Sequence, residues 1–111
     1  EDLIIVEGIF DAIKAGNAVP ILGSTLREGG KLFKAIVSSG CKVFLALDED
    51  ASEKADRIIK SLMSYGVDVS KINTSGYDDI AEMSDKKFLE RKSEAVFMNS
   101  DNHLWERLAS I

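Results

Sequence analysis

One cysteine, one proline and one histidine in 111 residues exclude several kinds of protein. A lone Cys41 cannot form an intrachain disulfide or a thiolate metal site. It precedes an expected strand and reads as a small, partly buried filler. His103, equally alone, reads as a surface or helix-face residue rather than a ligand or general base. No apolar run is long enough to cross a membrane, and no secretory signal pattern is present. The expectation is therefore a cytoplasmic protein with no membrane partner. Excess positive charge is missing too: the net charge is −5. A domain that grips nucleic acid by its backbone alone should be basic. Either nucleic acid is not the partner, or metal ions or basic neighbouring domains mediate the contact. Repeats, low-complexity tracts and internal linkers are absent as well. The chain lacks an initiator Met and begins almost directly in a strand, so it is expected to be a piece of a longer protein.

What is present suits one domain with a core of its own. Apolar residues make up 45% and charged residues 30%, ordinary for a globular chain. Short apolar runs alternate with helical patterns. Strands are expected at Leu3–Val6, Ala18–Leu22, Lys42–Leu47 and Val67–Ile72. Between them, Ile9–Ala15 reads as a helix stopped by Gly16. Thr25 and Glu28 form a capping-box pattern, although Gly29 and Gly30 push the regular helix towards Lys31. Leu32, Phe33, Ile36 and Val37 give that helix one apolar face, and Gly40 ends it. A third helix runs from about Ala51 to Tyr65, with Ala55, Ile58, Ile59, Leu62 and Met63 as its buried stripe and Gly66 as its stop. Short helices at Asp79–Met83 and Asp85–Lys92 follow, then a last amphipathic helix over Asp101–Ala109. Strands alternating with helices predict an α/β domain, a mostly parallel four-stranded sheet with helices on both faces.

Two of the apolar runs stop abruptly at acids: Leu3-Ile4-Ile5-Val6 at Glu7, and Val43-Phe44-Leu45-Ala46-Leu47 at Asp48-Glu49-Asp50. Ligands of open parallel sheets bind beyond the carboxyl ends of the strands. Both acidic groups are thus expected on the functional edge, provided the first and third strands lie close together. Carboxylates gathered there repel unless one is protonated or a cation joins them. Mg2+ is the economical cation, a hard ion that prefers oxygen ligands and keeps sites for water and phosphate. On extended chain, alternation would put Asp48 and Asp50 on one side and Glu49 on the other. Asp11, four residues after Glu7, would point back to the same edge from a helix starting at the turn. Gly8 would let a ligand or another backbone approach closely. The structural alternatives are plain: Asp50 or Ser52 could cap the third helix, Asp79 the next one, and Asp11 could be solvated.

These residues carry a resemblance. Glu7-Gly8-x-x-Asp11-Ala12 and Leu47-Asp48-x-Asp50 resemble the two defining motifs of the TOPRIM domain. That domain is shared by bacterial-type primases, type IA and type II topoisomerases, overcoming-lysogenization-defect nucleases and recombination-mediator proteins. The resemblance covers roughly residues 3–83 and is strongest to the bacterial and phage (DnaG-like) primases. Gly23-Ser24-Thr25-Leu26 is similar to their turn after the second strand, and Ala51-Ser52-Glu53-Lys54-Ala55 roughly fits the segment after Asp-x-Asp. Tyr77-Asp78-Asp79 stands where they have a Lys-Asp-Pro-Asp-like element. The departures are Glu49 in place of a small residue and the missing Lys and Pro of that last motif.

The resemblance implies a Rossmann-like three-layer TOPRIM fold, with residues 1–83 as the core and 84–111 as a C-terminal helical extension packed on it. Glu7 would be a metal ligand or general acid/base, Asp48 and Asp50 would bind Mg2+ or Mn2+, and Asp11 and Asp78 would be outer metal contacts. Gly8, Gly23 and Ser24 would lie near nucleotide or backbone. Lys54 and Arg57 are candidates for phosphate contact, against a solvated helix face. The implied activity is primer synthesis by nucleotidyl transfer, from nucleoside triphosphates on single-stranded DNA, with a replicative helicase as a further partner. The fragment alone would be inactive. A TOPRIM nuclease or topoisomerase subunit is the alternative, although type II topoisomerases carry an aspartate where this chain has Ser52. A receiver-like signalling domain with Asp48 as phosphoacceptor would need an acidic pair after the first strand and a lysine ending a fifth.

Overall fold

Alternation along the third strand explains the layering. Val43, Leu45 and Leu47 project to one side of the sheet and Phe44 and Ala46 to the other, and all five are buried. A strand buried on both faces must be covered on both, and its sequence then reads as a continuous apolar run. The computed structural model describes residues 2–8, 17–21, 26, 29–77 and 80–99. Its strands are β1 (Asp2–Val6), β2 (Ala18–Pro20), β3 (Lys42–Ala46), β4 (Val69–Lys71) and β5 (Val96–Met98). The helices are α1 (Lys31–Ser39), α2 (Ser52–Ser64) and α3 (Asp85–Ser93), with short 3-10 turns at Glu49–Ala51 and Ile80–Glu82. The expected helix over Ile9–Ala15, the Gly23-Ser24-Thr25 turn with its capping box, and the last helix with His103 lie outside the described residues, as do Asp11, Asp78 and Asp79.

The strands form one sheet in the order β2-β1-β3-β4-β5. The first four are parallel and β5 is antiparallel to β4. This is an α/β, Rossmann-like arrangement with one strand more than the sequence suggested. Within the described part of the segment after residue 84, the helix Asp85–Ser93 is followed by the edge strand Val96–Met98. On one face, α1 and α2 pack Phe33, Ile36, Ala55, Ile58, Ile59 and Leu62 against Ile5, Val43, Leu45 and Val69. On the other, Ile80, Met83 and Phe88 cover Ile4, Val6, Phe44 and Ala46. The Val, Leu, Ile, Phe and Met side chains among these contribute about 1.5–3 kcal/mol each when fully buried.

The helix ends follow local chemistry. Past α2, the Val67 amide donates to the Leu62 carbonyl at 3.1 Å and the Gly66 amide to that of Met63 at 3.0 Å. That pair of bonds is a Schellman closure, which needs a left-handed residue, and Gly66 supplies it with φ of 79°. Ser84 caps α3 by accepting from the Lys87 amide at 3.0 Å.

Candidate functional site

The chain leaves β1 towards β2 on one side and returns to β3 on the other. The crevice between β1 and β3 is thus the topological switch point of the sheet, where ligands of open α/β folds bind. Register sets what stands there. Val6 pairs with Ala46, the last paired residues of the two strands. One step further, Glu7 follows β1 and Leu47-Asp48 follows β3, so the two acidic motifs end neighbouring strands. Glu7, Gly8 and Asp48 are all partly buried.

The structure differs from expectation just after Asp48. Asp48 is extended, with φ −60° and ψ 152°, but Glu49–Ala51 is a 3-10 turn. Strand alternation stops at Asp48 and does not govern Asp50. Glu49 is not turned away: it lines a cavity together with Asp48. Asp50 is exposed. The capping alternative fares no better. Neither the 3-10 turn nor α2 begins with a side-chain cap, so Asp50 and Ser52 are not spent that way.

Lys54, for which the sequence offers a phosphate contact or a solvated face, lies in the first turn of α2. Its ammonium instead donates to both carboxylate oxygens of Glu7, at 2.8 Å to Oε1 and 3.3 Å to Oε2. The two side chains are only 17% and 23% exposed. This ion pair fastens α2 to the end of β1 across the switch point.

Asp48 is held differently. Its Oδ1 is buried and accepts no hydrogen bond among the described residues, although the residue is engaged elsewhere. The backbone beside it is fixed by Thr74, whose buried hydroxyl donates to the Leu47 carbonyl at 2.9 Å. Arg91 of α3 in turn holds the loop after β4. It donates to the carbonyls of Asn73 at 2.7 Å and Ser75 at 3.2 Å, and lies over the Tyr77 ring. Thr74 and Arg91 were missed in the sequence because nothing local marks them; their partners are 27 and 18 residues away or nearby only in space.

A cavity of about 380 Å³ opens between the start of α2 and the loop after β4. Leu45, Leu47, Ala55, Ile72 and Val96 give it apolar walls, and Asp48, Glu49, Ser52, Lys71 and Asn73 bring polar groups to it. A half-apolar cavity of this size with a few convergent polar groups has the character of a small-molecule site.

The carboxylates are hard oxygen donors and suit Mg2+ or Mn2+ in kind. Among the described residues, however, no three acidic, histidine or cysteine side chains gather closely enough to hold an ion. Of the expected site residues, the fold brings Glu7, Gly8, Asp48, Asp50 and Lys54 to one edge; Asp11, Gly23, Ser24 and Asp78 lie outside the described residues.

No family model and no curated protein matches the chain. Among solved structures it is similar to the crystal structure of the Aquifex aeolicus primase (zinc binding and RNA polymerase domains). The TM-score is 0.68 at 24% sequence identity, and the match covers 87% of this chain. It covers 26% of that one, so the chain corresponds in length to about a quarter of it. The likeness shows a shared fold. No helix among the described residues is long and apolar enough to cross a membrane.

Proposed function

We propose that this chain is the TOPRIM core of a bacterial or phage DNA primase and supports metal-dependent nucleotidyl transfer. The observation that carries the reading is the β1–β3 adjacency. It sets Glu7 beside the Asp48 turn at the switch point of a sheet whose fold is shared with part of a primase. Glu7 and Asp48 would hold Mg2+, with Mn2+ able to substitute, water and substrate phosphate completing the shell, and Asp50, Asp11 and Asp78 as outer contacts. The bound ion would supply charge neutralisation at the α-phosphate and a more acidic 3′-hydroxyl.

The chain's own residues would do the rest. Glu7 would accept the proton of the attacking hydroxyl or hold the ion that acidifies it. Gly8, with Gly23 and Ser24, would allow close approach of phosphate and sugar. The cavity beside Asp48 has room for part of a nucleotide. An acidic domain would leave most of the template grip to basic surface elsewhere, with nucleoside triphosphates, single-stranded DNA and a replicative helicase as partners of the whole protein.

Two alternatives remain distinct. A TOPRIM nuclease or topoisomerase would use the same acids on a nucleic-acid phosphodiester. A receiver domain would phosphorylate Asp48, and needs a fifth strand ending in lysine. Here β5 is antiparallel and ends at Met98-Asn99, which argues against it.

The test uses the full-length protein. Glu7→Gln should abolish RNA primer synthesis while single-stranded DNA binding persists. Primer synthesis that survives Glu7→Gln contradicts the reading. So does a phosphoryl adduct on Asp48 after incubation with Mg2+ and acetyl phosphate, read by intact mass.

A further inference from the structure

Lys54 is in an electrostatically poor place for a lysine. It is the third residue of α2, in the first turn, where the helix dipole presents its positive end. Cations are disfavoured there and acids preferred, as at the neighbouring Glu53. The helix itself therefore gives no reason for Lys54. The reason lies across the fold, in the carboxylate of Glu7, which takes the ammonium with both oxygens at 2.8 and 3.3 Å. Both side chains are mostly out of water, so the pair is screened less than a surface pair.

We propose that Lys54 is the built-in counter-cation of the site: it neutralises Glu7, and a divalent ion must displace it to bind that carboxylate. The inference rests on the metal reading above. The ammonium already occupies both oxygens of Glu7, and two cations forced onto one carboxylate repel. Lys54 therefore sets the concentration at which the divalent ion takes over. It gives Glu7 a cationic partner in the absence of metal, and it makes metal occupancy weak enough to follow the arrival of a phosphate-bearing substrate. Once displaced, the ammonium remains on the same edge.

The test is Mn2+ binding to the whole chain, followed by electron paramagnetic resonance of free Mn2+. Lys54→Met should bind Mn2+ about three- to fivefold more tightly than wild type, the size expected for freeing a carboxylate from one partly buried pair. Arg57→Met removes the same charge from an exposed position on the same helix and should change affinity less than about twofold. In a Glu7→Gln background, Lys54→Met should have no comparable effect, because the competition is gone. Lys54→Arg keeps the competing charge and should bind no more tightly than wild type; it serves if Lys54→Met does not fold. Unchanged or weaker Mn2+ binding in Lys54→Met overturns the competition while leaving the metal site intact. An equal gain in Arg57→Met also overturns it, as a general charge effect. Absence of Mn2+ binding in wild type overturns the metal reading and this inference together.

Discussion

The hydroxyl of Thr74 donates to the carbonyl of Leu47 at 2.9 Å, inside the protein and one residue before Asp48. The loop after β4 thus fixes the backbone that presents the acid at the end of β3. Thr74→Val keeps the shape and removes the donor, leaving a buried carbonyl without this bond. The expected loss is about 1–3 kcal/mol of stability, measured by urea unfolding. Loss below about 0.3 kcal/mol would mean that the bond does not fix this turn.

Asp50 behaves as an exposed turn residue in the fold, with no side-chain cap at either helical start. Asp50→Asn should therefore change stability in the absence of divalent ions by no more than about 0.5 kcal/mol. The same variant should lose part of the stabilisation that Mn2+ gives. A clear destabilisation without metal would assign Asp50 a structural role instead.

Arg91 ties α3 to the loop that lines the cavity, through the carbonyls of Asn73 and Ser75. Arg91→Ala should cost about 1–2 kcal/mol. It should also speed amide hydrogen exchange at Ser75 and Gly76 more than in α2, since the loss is local. Uniform acceleration across the domain would mean that Arg91 acts only through global stability.

Much of this fold is written in the apolar runs. The stretch Val43–Leu47 marks a strand covered on both sides, and Ala55, Ile58, Ile59 and Leu62 mark the buried stripe of α2. Both are long-range consequences of local pattern, which is why they can be read without coordinates. The proximity of β1 and β3 followed from a chemical demand, that Glu7 face the acids after Leu47, and the observed strand order meets it. β5 was harder. It has three paired residues, only Met98 is buried, and Val96 and Phe97 lie exposed, so period-two burial leaves almost no trace. At the site, strand alternation holds up to Asp48 and stops there, because a 3-10 turn ends the extended chain. Lys54 lies off the apolar stripe of its own helix, and the sequence therefore offers only a phosphate contact or solvent for it, not its partner Glu7. A helical pattern carries no information about a carboxylate 47 residues earlier in the chain.

The central claim is a divalent-metal site built on Glu7 and Asp48, and thermal unfolding of the whole chain against MnCl2 tests it most directly. At ten times the dissociation constant, binding to the folded state alone adds about 1.4 kcal/mol, a rise in midpoint of about 5–10 °C for a domain of this size. Wild type should show that saturable rise, and Glu7→Gln and Asp48→Asn should each lose most of it while still unfolding cooperatively. A wild-type midpoint that does not move, or one that moves equally in both variants, would contradict the account.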